Sequence, residues 1–436
     1  MSDDGNTPAR ELRYFVCSVD PKAKMVRMSV RTFLVKAKQN LQQTLKNNGE
    51  ASFVIGNESA DLDSITSAIV YGYIQTSTLE SMRAQKFYIP VTNIPASDLS
   101  LRPELTALLK HAAISPSDLI TLDDLGSIPL SLSKSSWTLV DHNALQGALG
   151  DHYRASVTGC IDHHDDEHQV PSSAEPRLIT KSGSCSSLVA NHCRDAWDVV
   201  ASSSSAIGAA LGQSSDGLTD DAAFTTTWDA QLAKLALGSV LIDTINMSDE
   251  HKVTEHDKKA VRYLEARINA SPRVGKGYDR DRFFNEINEA KSDVDSLSVR
   301  DVLRKDYKQW PENGMELGVT SVVKPIAWLE KKAEKGIVDE SVEFAKSRGV
   351  KLFAIMTAFN DESGEFARQL LLIALEGGKV KEAAEKFSKQ CTQELKLQND
   401  SVQLASKDGV AWIQCWEQKN LAASRKRVAP LLRGAM

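Results

Sequence analysis

The feature that most constrains this chain is a repeated one: a short apolar run that stops abruptly at ionisable side chains. Val157, Thr158, Gly159, Cys160 and Ile161 lead straight into Asp162, His163 and His164. Phe53, Val54, Ile55 and Gly56 lead into Asn57, Glu58, Ser59, Ala60, Asp61, Leu62 and Asp63. Trp137, Thr138, Leu139 and Val140 lead into Asp141, His142 and Asn143. Strand interiors take apolar residues, but nothing in strand packing asks for carboxylates and imidazoles at the end. A ligand does. In an open parallel α/β sheet, ligands bind beyond the carboxyl ends of the strands, so three such ends converge on one place. Hard metal ions are what hold so many carboxylates together.

The pattern around these runs predicts a helix at 26–48, a strand at 51–56, a helix at 63–80, a strand at 87–91 and a helix at 103–111. Residues 1–20 read as a loose end, and 127–136 as a loop that delivers the Asp141 strand. Strand–helix alternation of this kind predicts a doubly wound parallel sheet. Gly183, Ser184, Cys185, Ser186 and Ser187 open a helix to about residue 200. Small residues there expose backbone N–H groups as an anion site, the alternative being an ordinary serine cap. Residues 201–221, rich in Ser, Gly and Asp, read as a mobile surface insertion. A helix at 229–242 runs into Asp243 and Thr244, and 255–291 reads as a charged helical connection between domains. Beyond it, strands are expected at 317–323, 352–359, 370–374 and 410–415, and helices at 326–346 and 381–390.

A chain of 436 residues exceeds one ordinary core, which gives two domains, 1–290 and 291–436. The net charge of −6 divides unevenly between them, −9 in the first and +3 in the second, and all nine histidines lie at or before His256. That division suggests a metal-bearing half facing an anion-gripping half. The polar start carries no secretory apolar core, and no run approaches the ~18 apolar residues of a membrane span. The six cysteines form no CxxC pair, which argues against zinc ribbons and disulfide frameworks. The expectation is a cytoplasmic protein with no membrane partner and no obligate protein partner. The lack of a broad basic, aromatic-rich surface speaks against nucleic acid.

Asp61 and Asp63 stand two apart in a loop that starts a helix, so both can point into one cleft. Asp141 at a neighbouring strand end can bridge two cations, and His163 adds a nitrogen ligand. Such a set suits two Mn²⁺ or Mg²⁺ ions, which in two-metal sites lie roughly 3.5–4 Å apart. Singly, an Asp pair at a helix start is an ordinary cap and two loop histidines are ordinary surface. Together, in register with strand and helix ends, they argue for chemistry.

The order of NESADLDS (57–64), DHN (141–143), DHH (162–164) and LIDT (241–244) resembles the DHH phosphoesterase superfamily. SRKR (424–427) resembles the end of its DHHA2 subgroup, which includes family II inorganic pyrophosphatases, fungal-type exopolyphosphatases and prune-like proteins. Within the subgroup, GNESADLDS with GSCSS (183–187) looks most like cytosolic exopolyphosphatase.

The resemblance implies a DHH domain plus a smaller α/β DHHA2 domain with the active site in the cleft between them. It implies Asp61, Asp63, Asp141, His163 and Asp243 as ligands of two divalent ions (Mn²⁺ or Mg²⁺, with Co²⁺ possible), Asp141 bridging. It implies His164, Lys308, Arg425 and Lys426 as phosphate-binding, with Asn57 and His142 beside the substrate. The implied reaction is in-line attack of metal-bound hydroxide on the terminal phosphorus of inorganic polyphosphate, with Asp141, His163 and His164 as the catalytic group. The alternatives are a pyrophosphatase or a hydrolase of nucleotides or other small phosphorylated molecules, and, outside enzymes, a prune-like binding protein. The pyrophosphatases begin the first motif with a histidine where this chain has Asn57, which points away from them. The complete DHH points away from the prune-like group, whose third motif looks like DHR.

Overall fold

Five apolar runs build the first sheet: β1 (Ala51–Ile55), β2 (Tyr88–Val91), β3 (Ser135–Val140), β4 (Val157–Asp162) and β5 (Arg177–Ile179). They lie in the order β2-β1-β3-β4-β5, and every neighbouring pair is parallel. The computed structural model describes residues 27–126, 134–210, 215–295, 297–400, 402, 404 and 409–436, with backbone alone for 203–210 and 215–223. The expected loose end at 1–20 and residues 127–133 of the expected loop lie outside the described residues.

Side chains alternate across β1. Val54 joins the core on one face, while Phe53 and Ile55 join the core on the other with Trp137, Leu139 and Cys160. Both faces are covered, which is why these strands read as unbroken apolar runs. The order of strands reverses between β1 and β3, and the crevice at such a switch point is where open sheets bind ligands. Asp61 follows β1 and Asp141 follows β3.

The helices of this part are α1 (Val30–Asn47), α2 (Leu62–Thr76), α3 (Leu79–Arg83), α4 (Pro103–Lys110), α5 (Leu122–Leu125), α6 (Gly147–Tyr153), α7 (Cys185–Ala210), α8 (Ser215–Asp243), α9 (Glu255–Asn269) and α10 (Arg280–Ser292). The helix expected at 63–80 is two, because Thr78 turns out as a cap whose hydroxyl accepts from Ser81 N and starts α3. In the stretch 201–221 the backbone is helical to Ala210 and again from Ser215, with 211–214 outside the described residues. Residues 255–291 do more than connect. Val261, Leu264 and Ile268, spaced at three and four, bring α9 into the first core, and Phe283 and Ile287 bring in α10.

The second part runs α11 (Val299–Lys305), β6 (Tyr307–Glu312), β7 (Met315–Val322), α12 (Ile326–Lys332), α13 (Ile337–Ser347), β8 (Leu352–Thr357), β9 (Phe359–Asn360), β10 (Phe366–Ala367), β11 (Gln369–Ala374), α14 (Lys379–Leu395), β12 (Leu397–Asn399), β13 (Trp412–Gln418) and α15 (Arg425–Ala435). Six strands form a mixed sheet, β12-β13-β11-β8-β7-β6, in which only β7 and β8 run parallel. The helix expected at 326–346 breaks before Gly336, whose φ of +90° begins α13. β6 was not expected from its mixture of Lys308, Gln309, Trp310, Pro311 and Glu312. It is an edge strand paired only with β7, the place where a proline is tolerated. The basic segment after residue 424 is a docked helix, with Val428, Ala429 and Leu432 in the core beneath it.

Each apolar core draws on one part of the chain only, and the division falls between Ile287 and Val294. No described helix is long and apolar enough to cross a membrane.

Candidate active site

The end of β1 and the start of α2 lie almost in contact. A Cβ on Gly56 would stand 2.5 Å from Ser64 Cβ and 2.9 Å from Ser64 Cα, so only glycine fits. This approach brings the Ser64 hydroxyl 2.7 Å from Asp141 Oδ2, to which it donates. Asp61 caps α2, its Oδ1 accepting from Ser64 N at 3.0 Å. Capping engages one oxygen only, so the cap reading holds and leaves room for the ligand reading. Asp61 opens to the cleft, yet protein crowds it and the charges of Asp141 and Asp243 lie close. Its carboxyl is pushed up to about 6, with desolvation the largest cause.

Asp141 is buried, with a φ of +60°, the left-handed region that aspartate tolerates better than most residues. Its Oδ2 accepts from Asn57 Nδ2 and from Ser64 Oγ, both at 2.7 Å, while Oδ1 lies 3.2 Å from His163 Nε2. Burial alone would raise its pKa. The His163 hydrogen bond and the charges of His164, His163 and Lys426 outweigh that and hold it well below the usual carboxylate range. Asn57 Oδ1 is committed to Ser59 N at 2.8 Å, so the amide faces Asp141 as a donor.

His163 Nδ1 donates to Ser182 O at 3.0 Å, which turns Nε2 toward Asp141 and, at 3.9 Å, toward Asp63 Oδ2. A backbone carbonyl on one nitrogen fixes the tautomer and leaves the other as a ligand. His164 is held by Asp162, Nδ1 to Oδ1 at 2.7 Å. Asp162 also accepts from Asn143 Nδ2 at 2.5 Å and from the backbone N–H groups of His163 and His164. Although burial opposes it, these bonds keep Asp162 ionised, down to about 2; desolvation first, and Lys426 after it, push His164 down to about 4.

The N-terminus of α7 does bind anions, but they are the protein's own. Asp63 accepts from Cys185 N at 2.6 Å, Ser186 N at 2.7 Å and Ser184 Oγ at 2.9 Å. Asp257 accepts from Gly183 N at 2.8 Å, Ser187 Oγ at 2.6 Å and Ser182 Oγ at 2.9 Å, and closes the capping box of α9. The exposed N–H groups expected at 183–187 are therefore used internally, because two carboxylates remote in sequence reach them first. Burial, then the charges of Asp243, Asp141 and Asp61, still raise Asp63 well above the ordinary range.

Asp243 ends α8, and its Oδ2 is buried with no hydrogen-bond partner among the described residues. A buried carboxylate oxygen without a partner, beside three more carboxylates and an imidazole, is a donor set that fits a hard divalent cation. Ligand atoms of Asp141, His163 and His164 lie within 4.8 Å of one another.

Cations from the second part of the chain face this cluster, one from β6 and two from the start of α15. The ammonium of Lys308 on β6 makes no hydrogen bond or ion pair among the described residues; desolvation, then Arg425, lower its pKa, while Asp141 and Asp61 raise it. Lys426 Nζ lies 2.9 Å from His163 Nε2. Arg425 grips Asp306, O and Oδ1 each at 2.6 Å, and reaches Ser59 Oγ at 3.4 Å. His142 Nδ1 donates to Val140 O at 3.0 Å and its Nε2 is buried without a partner among the described residues.

All eleven residues singled out from the sequence are linked to one another by hydrogen bonds or by charge, and among the described residues Asp141, His163 and His164 bring their ligand atoms closest together. Sequence reasoning passed over the supports: Ser64, Asp162, Asn143 and Asp257. Ser64, Asn143 and Asp162 sit inside NESADLDS, DHN and DHH, and only their hydrogen bonds reveal what they do. Asp257 had one local sign, Thr254 three residues before it, and that spacing marks a helix start and nothing more.

Two family models match the chain, the DHH family N-terminal domain over residues 52–212 and the DHHA2 domain over 285–435. A Schizosaccharomyces pombe protein named "Putative exopolyphosphatase" is 34% identical over 93% of this chain and 97% of its own length. The rat protein named exopolyphosphatase PRUNE1 is 27% identical over 91% of this chain and 78% of its own. A manganese-dependent inorganic pyrophosphatase of Methanothrix thermoacetophila is 24% identical over 70% of this chain and 80% of its own. Among solved structures, the "Methanococcus jannaschii putative family II inorganic pyrophosphatase" shares the fold, with a TM-score of 0.51, 21% identity, and coverage of 88% of this chain and 99% of that one. With its motifs at three parallel strand ends and its second sheet facing them, the chain belongs to the DHH family, in the branch that carries a C-terminal DHHA2 domain.

Proposed function

We propose that this protein is an exopolyphosphatase, a hydrolase that releases the terminal phosphate of inorganic polyphosphate with two divalent ions at its site. The observation that carries the reading is the opposition of two charge types across the cleft: Asp61, Asp63, Asp141 and Asp243 on one side, Lys308, Arg425 and Lys426 on the other. Carboxylates alone would repel a phosphate chain, and cations alone would hold it without reaction. The fungal relative's name agrees with this substrate. We take residues 1–290 as the metal-bearing unit and 291–436 as the phosphate-gripping one, in keeping with the split of the apolar cores.

Asp61, Asp63, Asp141, His163 and Asp243 would hold the ions, Mn²⁺ or Mg²⁺, with Asp141 shared. Divalent ions in such a site acidify a bound water and neutralise charge on phosphoryl oxygens. The chain's own groups do the rest. Asn57 and Ser64 fix the plane of the Asp141 carboxylate. Asp162 holds His164 by Nδ1, which leaves Nε2 for the transferring phosphoryl group. Lys308, Arg425 and Lys426 position the remaining phosphates, and His142 lines the wall beside them.

Asn57 bears on the choice between polyphosphate and pyrophosphate. Asn57→His is expected to raise the affinity for Mn²⁺ relative to Mg²⁺, since imidazole suits the softer ion. Metal titrations of both proteins check it; an unchanged ratio would leave Asn57 solely as an orienter of Asp141.

Proton competition gives a second expectation. Asp61 is raised to about 6 from an ordinary 3.8, so without metal its contribution to stability is full below the ordinary value and is lost as pH rises through about 6. Metal binds the ionised form and reverses that loss. The gain in melting temperature from Mn²⁺ should therefore be small at pH 5 and grow through pH 6 to 7. A gain independent of pH over that range would remove Asp61 from the ligand set.

The reading itself is tested by phosphate release from polyphosphates of defined length and from pyrophosphate, with Mg²⁺, Mn²⁺ and Co²⁺ compared. Preference for pyrophosphate would make it a pyrophosphatase. Metal binding without release from any of these substrates would make it a binding protein.

A further inference from the structure

Arg102 precedes α4 and is 4% exposed, yet its guanidinium pairs with no carboxylate among the described residues. All its bonds go to backbone carbonyls. Nε donates to Ala60 O at 2.7 Å, Nη1 to Asp98 O at 2.9 Å, and Nη2 to Lys305 O at 3.1 Å and also to Ser59 O. Ser59 and Ala60 form the turn that delivers Asp61, with Ala60 in the left-handed region at φ +44°. Lys305 is the last residue of α11, so its carbonyl is one of the groups a helix end leaves without a partner. Three residues further on is Lys308.

Arg425 brackets the same two segments from the other side. It holds Asp306 through both O and Oδ1 and touches Ser59 Oγ. Ser59, Arg102, the peptide joining Lys305 to Asp306, and Arg425 thus close a ring between the acidic loop and the start of β6. Two ion pairs flank it, Arg304 with Asp98 at 2.9 Å and Lys305 with Glu104 at 2.7 Å. Burying a charge without a counter-charge in contact is costly, and a water or a hydroxyl would satisfy a lone carbonyl. What a planar guanidinium adds is several donors at fixed mutual angles, able to hold separate segments in one register.

We infer that Arg102 is a positioning residue that sets the spacing between the carboxylates of the acidic loop and the phosphate-gripping strand β6. The inference rests on the proposed hydrolysis for its kinetic consequence but not for its structural one. Lysine at this position keeps the charge but presents its donors from one point, and cannot span both segments. A misplacement of about 1 Å at a reacting centre can reduce rate on the order of a hundredfold.

The test is Arg102→Lys in the full-length protein. Tripolyphosphate kinetics at saturating Mn²⁺ should show kcat/KM lower by about 30- to 300-fold, with the loss mainly in kcat. In the metal-free protein, amide hydrogen exchange should quicken together at 58–61 and 305–308 and stay unchanged in the centre of both sheets. Wild-type kinetics per folded molecule, or faster exchange at 58–61 alone, would overturn the inference and leave Arg102 a local support. If wild-type protein releases no phosphate, the proposed function fails, and the exchange measurement still judges Arg102. Should Arg102→Lys not fold, Arg102→Gln, which removes the buried charge and keeps a donor too short to span both segments, is measured in the same way. Unchanged exchange at 58–61 and 305–308 in that variant would equally overturn it.

Discussion

Replacing Asp141 by alanine is expected to reduce phosphate release from polyphosphate by at least about a thousandfold, roughly 4 kcal/mol of transition-state stabilisation. Asp141 is the carboxylate on which the site converges. Asn57, Ser64 and His163 all direct a polar atom at it, and Asp61 and Asp63 feel its charge. Removing it frees two donors and, on the proposed two-ion reading, would take one ligand from each ion. The fold should survive, since β3 and its core remain, although alanine tolerates the left-handed backbone less well than aspartate. Asp141→Asn separates the two effects, because it keeps the shape and the backbone tolerance and loses only the charge. Phosphate-release kinetics, metal titration and circular dichroism on both variants check this. Half of wild-type turnover in either, at saturating metal, would refute the two-ion assignment.

Arg425→Ala is expected to lower kcat/KM for polyphosphate by about 10- to 1000-fold, some 1.4–4 kcal/mol, while metal affinity stays near wild type. A guanidinium matches the edge of a phosphate with two charge-assisted hydrogen bonds, and removing it harms placement of substrate more than loading of metal. In the present arrangement the same fork is shared with Asp306 and Ser59, so some of the loss will come from looser docking of β6. An Asp306→Ala variant measures that share. Near-normal kcat/KM in Arg425→Ala would leave Lys308 and Lys426 as the grip.

What could be read from the sequence followed what is local. Apolar runs ending in acids and imidazoles identified β1, β3 and β4, and their shared direction placed Asp61, Asp141 and His163 at one edge. The helices expected at 26–48 and 229–242 correspond to α1 and to the later part of α8. What was hidden depended on distant partners. Asp257 and Asp63 occupy the N–H groups of 183–187 from 74 and 122 residues away, a competition that no local pattern announces. β6 was missed because an edge strand needs no apolar alternation on its open side. Arg102 was missed because its partners are backbone carbonyls, which every residue has. The apolar stripe of α9 was diluted by charges, so its place in the core was taken for a connection.

The division of the apolar cores has a thermodynamic consequence. Across the cleft, the two parts meet through Arg102 and Lys305, Arg304 and Asp98, Lys305 and Glu104, Arg425 and Ser59, and Lys426 and His163. No apolar cluster of the described residues spans that junction. Heat-capacity change tracks apolar area moved into or out of water, and polar area carries the opposite sign. Any parting of these two surfaces around the proposed polyphosphate, and their rejoining, would therefore move little oily surface. Calorimetric titration with polyphosphate should give a binding enthalpy that stays nearly flat with temperature, unlike the steep slope of an enzyme that shuts by burying a greasy seam.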